Sequence, residues 1–334
     1  MVKLAVVGLG WWGKTLVDAV QGKSPDIRFV AGATRTRAKA EGYAAERGFR
    51  LLDSYAEVLA DPEVEGVVLA TPHLDHEAQI VAAAEAGKHV FVEKPFTMTA
   101  AGARRAVAAV EKAGVVVGLG HNRRFHPNMT ELRERMRAGA LGTVLHAEAT
   151  MTGPSGLFMP ADSWRADAAQ SPVGGMAPMG IHMLDGLIDL MGPIAEVICQ
   201  SVHRAAPAGV LDTTGILMTF ESGATGYLSC MIATAPSYRM AVYGNRGVAE
   251  IRKPLLDLFG FQPAPEAQGR PPGPAEEIAR PGVDTVALEL EAFAAAVAGK
   301  APFAITPEEM VHGIAAYEAI IASATDRCPR KVQG

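Results

Sequence analysis

Residues 6–16 read "VVGLGWWGKTL", and the glycines in this stretch decide the fold. An apolar run breaks into Gly8, Gly10 and Gly13, spaced G-x-G-x-x-G, immediately before a helix-like segment. The spacing has three physical reasons: the chain must turn tightly, its backbone must approach a pyrophosphate, and the helix must pack close to the sheet. The helix N-terminus then offers unpaired N–H groups and a positive dipole end to the phosphates. Alone the motif is weak. Between a strand and a helix, at the head of a βαβ series, it reads as a dinucleotide site rather than a plain glycine bend. Trp11 and Trp12 either line that site or pack beneath the loop.

Working outward, the first 120 residues alternate short β-branched runs with longer amphipathic stretches. "KLAVVG", "IRFVAGA", "VEGVVLA", "KHVFVEK" and "GVVVGLG" are apolar throughout, as strands covered on both faces require. The pattern predicts an α/β protein whose N-terminal half is a doubly wound parallel sheet of Rossmann type. Past residue 121 the pattern changes. A helix in "NMTELRERMRAG" leads to the strand "TVLHAEATM", and a glycine- and methionine-rich segment leads to a helix over 177–190. "EVICQSV", "TGILMTF", "ATGYLSCM" and "RMAVYG" then follow with short turns, which predicts a mainly antiparallel open sheet. Residues 261–281 hold six of the 22 prolines and predict an irregular excursion. Two helices close the chain, around 284–298 and 307–325. The expected organisation is a dinucleotide-binding domain over 1–121 and a second α/β domain over 122–334, with the last helices free to pack back on the first.

Bulk properties narrow the partners. The 334 residues are 49% hydrophobic and 20% charged, with a formal net charge of −5. No basic block with interleaved aromatics occurs, so nucleic acid is not expected as a partner. No apolar run reaches the length of a membrane span. The three cysteines, Cys199, Cys230 and Cys328, show neither metal spacing nor a disulfide framework. A cytoplasmic protein with reduced thiols is expected.

The cofactor type is read from the end of the second strand. An NAD site expects Asp or Glu there to hold the ribose hydroxyls. "FVAGATRTR" supplies Thr34, Arg35 and Arg37 instead. A hydroxyl beside arginines accepts a 2′-phosphate that an aspartate would repel, so NADP(H) is expected over NAD(H). The plainer reading is that these arginines are solvated at a helix start.

The fourth strand runs into "FVEKPF". Ligands of doubly wound sheets bind at the carboxyl ends of the strands, which is where Lys94 stands. Beside a cationic nicotinamide its ammonium form is disfavoured, and it can exchange a proton with a substrate oxygen. Otherwise it is a surface lysine, with Pro95 stopping the strand.

With these residues in place, the chain resembles the Gfo/Idh/MocA family of nicotinamide-dependent oxidoreductases. The resemblance covers nearly the whole length. It rests on "GLGWWG", "ATPHLDHEAQIVAAAEAGKHVFVEKP", "GHNRRFHPNMTELRERMRAGALGTV", "SWR", "GIHMLD" and "TPEEMVHGI". It implies that Thr71, Pro72, His73 and His76 border the cofactor and that Glu93 and Lys94 sit by the nicotinamide. The Lys94–Pro95 bond would be a candidate cis peptide and Lys94 the catalytic proton donor or acceptor. Arg123, Trp164 and Arg165 would approach nicotinamide or substrate. The second domain's open sheet would join copies into a homodimer or homotetramer.

The stretch "GGMAPMGIHMLD", residues 174–185, departs from that family pattern. Relatives carry D-x-x-x-H on this helix, and here the histidine is His182 while Pro178 takes the aspartate position. Three readings follow. Lys94 and His182 suffice for proton transfer; or the chain keeps the cofactor as a ligand in a non-catalytic regulatory role; or Asp185 supplies the carboxylate. Retention of Lys94, His182 and Arg165 favours the first. The apolar corner left by Pro178 suits a substrate less hydroxylated than an intact sugar, and Arg123, Arg124, His126 and Arg165 form a candidate anion site. The neighbouring methionines are core rather than pocket in the plainer reading. A metal-dependent hydrolase built on His73, Asp75, His76 and His121 is a third class; no metal is expected, because "TPHLDH" falls at a turn that the resemblance gives to the cofactor.

Overall fold

The computed structural model describes residues 1–163, 166–168 and 171–333. The chain divides into two compact units, Met1–Asn122 with Asp284–Ile314, and Arg123–Val283 with Ala315–Gly334.

The first unit is a βα series. Its elements are β1 (Val2–Val7), α1 (Trp11–Val20), β2 (Ile27–Ala33), α2 (Glu41–Arg47), β3 (Arg50–Leu52), α3 (Tyr55–Ala60) and β4 (Gly66–Leu69). There follow α4 (His76–Glu85), β5 (His89–Glu93), α5 (Ala100–Ala113) and β6 (Val117–Gly120). The six strands are parallel in the order β3-β2-β1-β4-β5-β6. Leu4, Val6, Val67, Val68, Val90, Phe91 and Val92 are fully buried. Covering on both faces accounts for the apolar middles of these strands. The order reverses between β1 and β4, so the carboxyl ends of those two strands flank the crevice where such sheets bind ligands. The short β3 was not foreseen, because three residues show no periodicity.

The second unit opens with α6 (Pro127–Arg137), β7 (Val144–Thr152), α7 (Gly180–Met191), β8 (Ile194–Val202), β9 (Thr213–Phe220) and β10 (Thr225–Met231). It continues with β11 (Ser237–Gly244), β12 (Gly247–Arg252), β13 (Leu258–Pro263) and β14 (Glu276–Ala279). Past α8 (Thr285–Val297) and α9 (Pro307–Asp326), β15 (Arg330–Lys331) pairs with β8 and completes a nine-stranded sheet. Its order is β14-β13-β12-β11-β7-β10-β9-β8-β15. β7 and β10 pair in parallel, and the other neighbours are antiparallel.

The sheet's inner face and α7 share one core. Ile181, Met183, Leu184 and Leu187 of α7 are buried with Leu228, Cys230, Met240 and Val242 of the strands. Gly186 lets the helix approach: a Cβ there would lie 2.7 Å from Met240 Cε. The buried methionines are therefore core residues.

Two expectations change. α7 begins at Gly180, so Pro178 lies ahead of the helix rather than in its first turn, and it shares no helix face with His182. The proline-rich excursion is narrower than 261–281, because β13 and β14 pair across its ends. α8 belongs to the first unit, where Phe293 stands 5.6 Å from Phe91 and 6.5 Å from Phe303, ring to ring. Gly118 on β6 makes room: a Cβ there would meet Phe293 at 2.9 Å. Among the described residues no helix is long and apolar enough to cross a membrane.

Candidate active site

The glycine loop separates into positions that shape the turn and one that leaves it open. Gly8 has φ +96°, a left-handed backbone that favours glycine. A Cβ on it would stand 2.5 Å from the Ala70 carbonyl oxygen, in the turn after β4. A Cβ on Gly13 would stand 2.0 Å from the Gly8 carbonyl oxygen. At Gly10 a Cβ would meet nothing within 4 Å. Gly10 is the N-cap of α1 and offers no side chain to its N–H groups, and the first turn holds no acid. The first helical bond is Lys14 N–H to the Gly10 carbonyl at 3.1 Å. An uncapped helix N-terminus beside an open glycine fits a pyrophosphate. The two tryptophans part company. Trp11 is 77% exposed, whereas the Trp12 indole Nε1 is buried and faces the Glu93 carboxylate without closing a well-aligned hydrogen bond.

At the end of β2, Thr34 is half-buried and Arg35 exposed. Arg37 lies between two carboxylates, Glu41 at 3.2 Å and Asp53.

The turns after β4 and β5 hold the chemistry-bearing side chains of this unit. Thr71 donates its hydroxyl to Gln79 Oε1 of α4 at 2.5 Å. Pro72 is exposed, His73 half-buried and His76 fully buried. The two imidazoles stand 5.9 Å apart. Among the described residues no group of three or more His, Cys, Asp or Glu side chains is arranged to hold a metal ion. Lys94 is half-buried at the carboxyl end of β5, and the Lys94–Pro95 peptide is cis. Glu93 is 6% exposed, and its Oε1 has no hydrogen-bond partner. Burial pushes its pKa up to about 7, against the Trp12 indole and the Lys94 ammonium, which pull it down. A carboxylate able to exchange a proton near neutral pH is thus held next in sequence to a lysine. Gly120 at the end of β6 makes space for it: a Cβ there would lie 2.7 Å from Glu93 Oε1. Sequence reasoning missed Gly120, whose G-x-G-x pattern in "GLGHN" looks like any strand end.

In the second unit His182 is half-buried on α7. Arg124 and Asp185 are both buried and pair through Nη2–Oδ1 at 2.7 Å and Nε–Oδ2 at 3.1 Å. Asp189 stands 3.7 Å from Arg124 Nη1 and receives Arg133. His126 caps α6 by accepting the Asn128 N–H through Nδ1 at 3.1 Å. Arg123 differs from its neighbour. Its guanidinium lies 5.4 Å over the Tyr238 ring and donates to the Pro254 carbonyl at 3.2 Å. Among the described residues no carboxylate lies within ion-pair distance of it. Burial lowers its pKa, with Tyr238 opposing. Of the four groups in the candidate anion site, Arg124 is committed to Asp185, and His126 is engaged through Nδ1 while its buried Nε2 has no hydrogen-bond partner. Trp164 and Arg165 lie outside the described residues.

A doubly wound parallel sheet with this glycine loop, joined to a second unit with a large open sheet, defines a nicotinamide-dinucleotide oxidoreductase class. Residues 2–121 match the family described as "Oxidoreductase family, NAD-binding Rossmann fold", and residues 129–250 match the "GFO/IDH/MocA C-terminal domain". The chain belongs to the Gfo/Idh/MocA family and is an NAD(P)-dependent oxidoreductase by that membership. It is 30% identical to mouse trans-1,2-dihydrobenzene-1,2-diol dehydrogenase over 231 residues, covering 69% of this chain and 68% of that one. It is 28% identical to Thermotoga maritima myo-inositol 2-dehydrogenase over 260 residues, 74% of each chain. Levoglucosan dehydrogenase, solved with NADH and levoglucosan, shares the fold at a TM-score of 0.89, with 21% identity over 99% of both chains.

Proposed function

We propose that this protein is an NADP(H)-dependent dehydrogenase. It interconverts a secondary alcohol and a carbonyl on a sugar-derived, or a carboxylate- or ring-bearing, small molecule. Lys94 is the proton donor or acceptor and His182 assists. The carrying observation is the Glu93–Lys94 turn at the carboxyl edge of the parallel sheet, with a buried carboxylate whose pKa lies at about 7 beside the lysine. When bound, the nicotinamide exchanges the hydride. The chain's own part is to move a proton at Lys94 Nζ and to hold the phosphates on the α1 N-terminus.

The preference for NADP(H) is supported by β2 ending without an acid, followed by Thr34 and an exposed Arg35. Arg37 is engaged by Glu41 and Asp53, so Arg35 is the cation left for a 2′-phosphate. A carboxylate on the substrate is supported by Arg123, a guanidinium whose charge, among the described residues, is met by a ring and a carbonyl and by no carboxylate. The outer face of the nine-stranded sheet is the proposed contact between copies, and three free cysteines suit a cytoplasm.

The test is loss of reduced-nicotinamide absorbance with NADPH and NADH against pooled sugars, keto acids and cyclic ketones, run beside Lys94→Met and Arg35→Ala. Turnover should vanish in Lys94→Met while cofactor binding, followed by fluorescence, persists. Arg35→Ala should weaken NADPH about tenfold and leave NADH unchanged. Full turnover in Lys94→Met would overturn the mechanism, and a wild-type preference for NADH would overturn the cofactor assignment.

A further inference from the structure

His76 stands at the first position of α4, wholly buried, with both ring nitrogens facing backbone carbonyls. Nδ1 is 2.7 Å from the carbonyl oxygen of Pro95, and Nε2 is 3.1 Å from that of Thr71. Carbonyl oxygens only accept, so the ring must donate in every bond it makes. A neutral imidazole has one N–H and can close one of the two. The shorter distance assigns the proton to Nδ1 and the bond to Pro95. Closing both would require the imidazolium. Burial works against that form, as does the Lys94 ammonium, while the two carbonyls and Asp75 favour it. His73 also stands against the ring, at 5.9 Å.

The two carbonyls belong to different turns. Thr71 follows β4, in the turn that touches the glycine loop through Ala70. Pro95 follows Lys94 at the end of β5. β4 and β5 are parallel neighbours, so a single ring spans both strand ends. The same helix reaches Thr71 a second time, through its hydroxyl and Gln79.

We propose that His76 is the positioning residue for Lys94: its donation to the carbonyl next to that lysine ties the Glu93–Pro95 turn to the Thr71–Pro72 turn, so that a ligand settling on one orients the other. The inference rests on the reading of Lys94 given above. A misplacement of the reacting group by about 1 Å is enough to cost about 100-fold in rate, which is the scale a lost tether would produce.

The amide of an asparagine carries an N–H near the place of Nδ1, and that of a glutamine carries one near Nε2. His76→Asn therefore keeps the Pro95 bond and His76→Gln keeps only the Thr71 contact. The wild-type protein is read first, by nitrogen–proton correlation NMR of its imidazoles, with the His76 signal assigned by its absence in His76→Asn. The proton should reside on Nδ1 at neutral pH. A proton on Nε2 would overturn the tether whatever the variants do. The Lys94 amine is then labelled by reductive methylation with carbon-13 formaldehyde and assigned by Lys94→Met. Its resonance should coincide in wild type and His76→Asn and move or split in His76→Gln. In turnover, His76→Gln should lose about 10- to 100-fold in kcat with cofactor Kd within about threefold, and His76→Asn should approach wild type. Equal behaviour of the two variants, in either direction, overturns the proposal. Absence of turnover in wild type counts against the dehydrogenase reading alone, since both NMR readouts still decide the tether.

Discussion

Arg124 and Asp185, 61 positions apart in sequence, meet in a buried two-pronged ion pair. This commits the one carboxylate that sequence reasoning had offered as a replacement for the residue lost at Pro178. Removing one partner of a buried pair leaves an uncompensated charge and costs about 3–5 kcal/mol. Asp185→Ala should therefore lower the thermal unfolding midpoint by on the order of 10 °C, by calorimetry. An unchanged midpoint with a raised substrate KM would return Asp185 to the substrate site.

The glycine loop makes a prediction about two residues of the same type. Gly13→Ala forces a Cβ to 2.0 Å from a backbone oxygen, so the turn must deform and stability must fall. Gly10→Ala meets nothing, and its extended backbone suits any residue. It should cost less than about 1 kcal/mol yet weaken cofactor binding by crowding the approach of the phosphates. Thermal melts and cofactor fluorescence on the pair separate fold from ligand. Equal loss of stability in both would contradict this division.

These cases show why parts of the site were legible and others not. Gly8, Gly10 and Gly13 announce themselves because a local backbone need selects a residue type at fixed spacing. The position of Lys94 at the carboxyl end of β5 was legible for another reason, since "KHVFVEK" reads plainly as a buried strand. The Arg124–Asp185 pair and the Arg123–Tyr238 contact join residues more than 60 apart, and no periodicity encodes which carboxylate a buried arginine will find. Pro178 misled for a related reason: proline suits both a first helical turn and the turn before it, and the structure takes the latter. The motif marks His76 as a residue of the turn after β4, but nothing in it tells that the ring faces two carbonyls from different strand ends.

Glu93 predicts a pH dependence of stability. Its folded pKa is raised by burial to about 7 from an ordinary 4.5. A raised carboxylate penalises the fold when ionised. The penalty is absent below the ordinary value, grows through the interval and is complete above about 7, where it amounts to at most about 3 kcal/mol. Glu93→Gln should therefore melt several degrees above wild type at roughly pH 8, and the gap should close towards roughly pH 5. Parallel pH profiles for the two proteins would show that Glu93 keeps an ordinary titration.

The outer face of the nine-stranded sheet carries Ile198, Leu217, Tyr227 and Met231 around a cavity of about 520 Å³. Leu217 is 58% exposed there, on the face proposed above as the contact between copies. Leu217→Arg should shift the protein to a monomer by light scattering, leaving the unfolding midpoint of the subunit within a few degrees. An unaltered mass would move the contact elsewhere.

Phe293, on a helix near the end of the chain, closes over Phe91 in the middle of the first sheet. During synthesis the strands of the parallel sheet are therefore made with an aromatic hollow open at Phe91 and Gly118, and the second sheet must be made before the plug arrives. A released fragment ending at residue 122 would hold every strand of that sheet and still present greasy surface to chaperones.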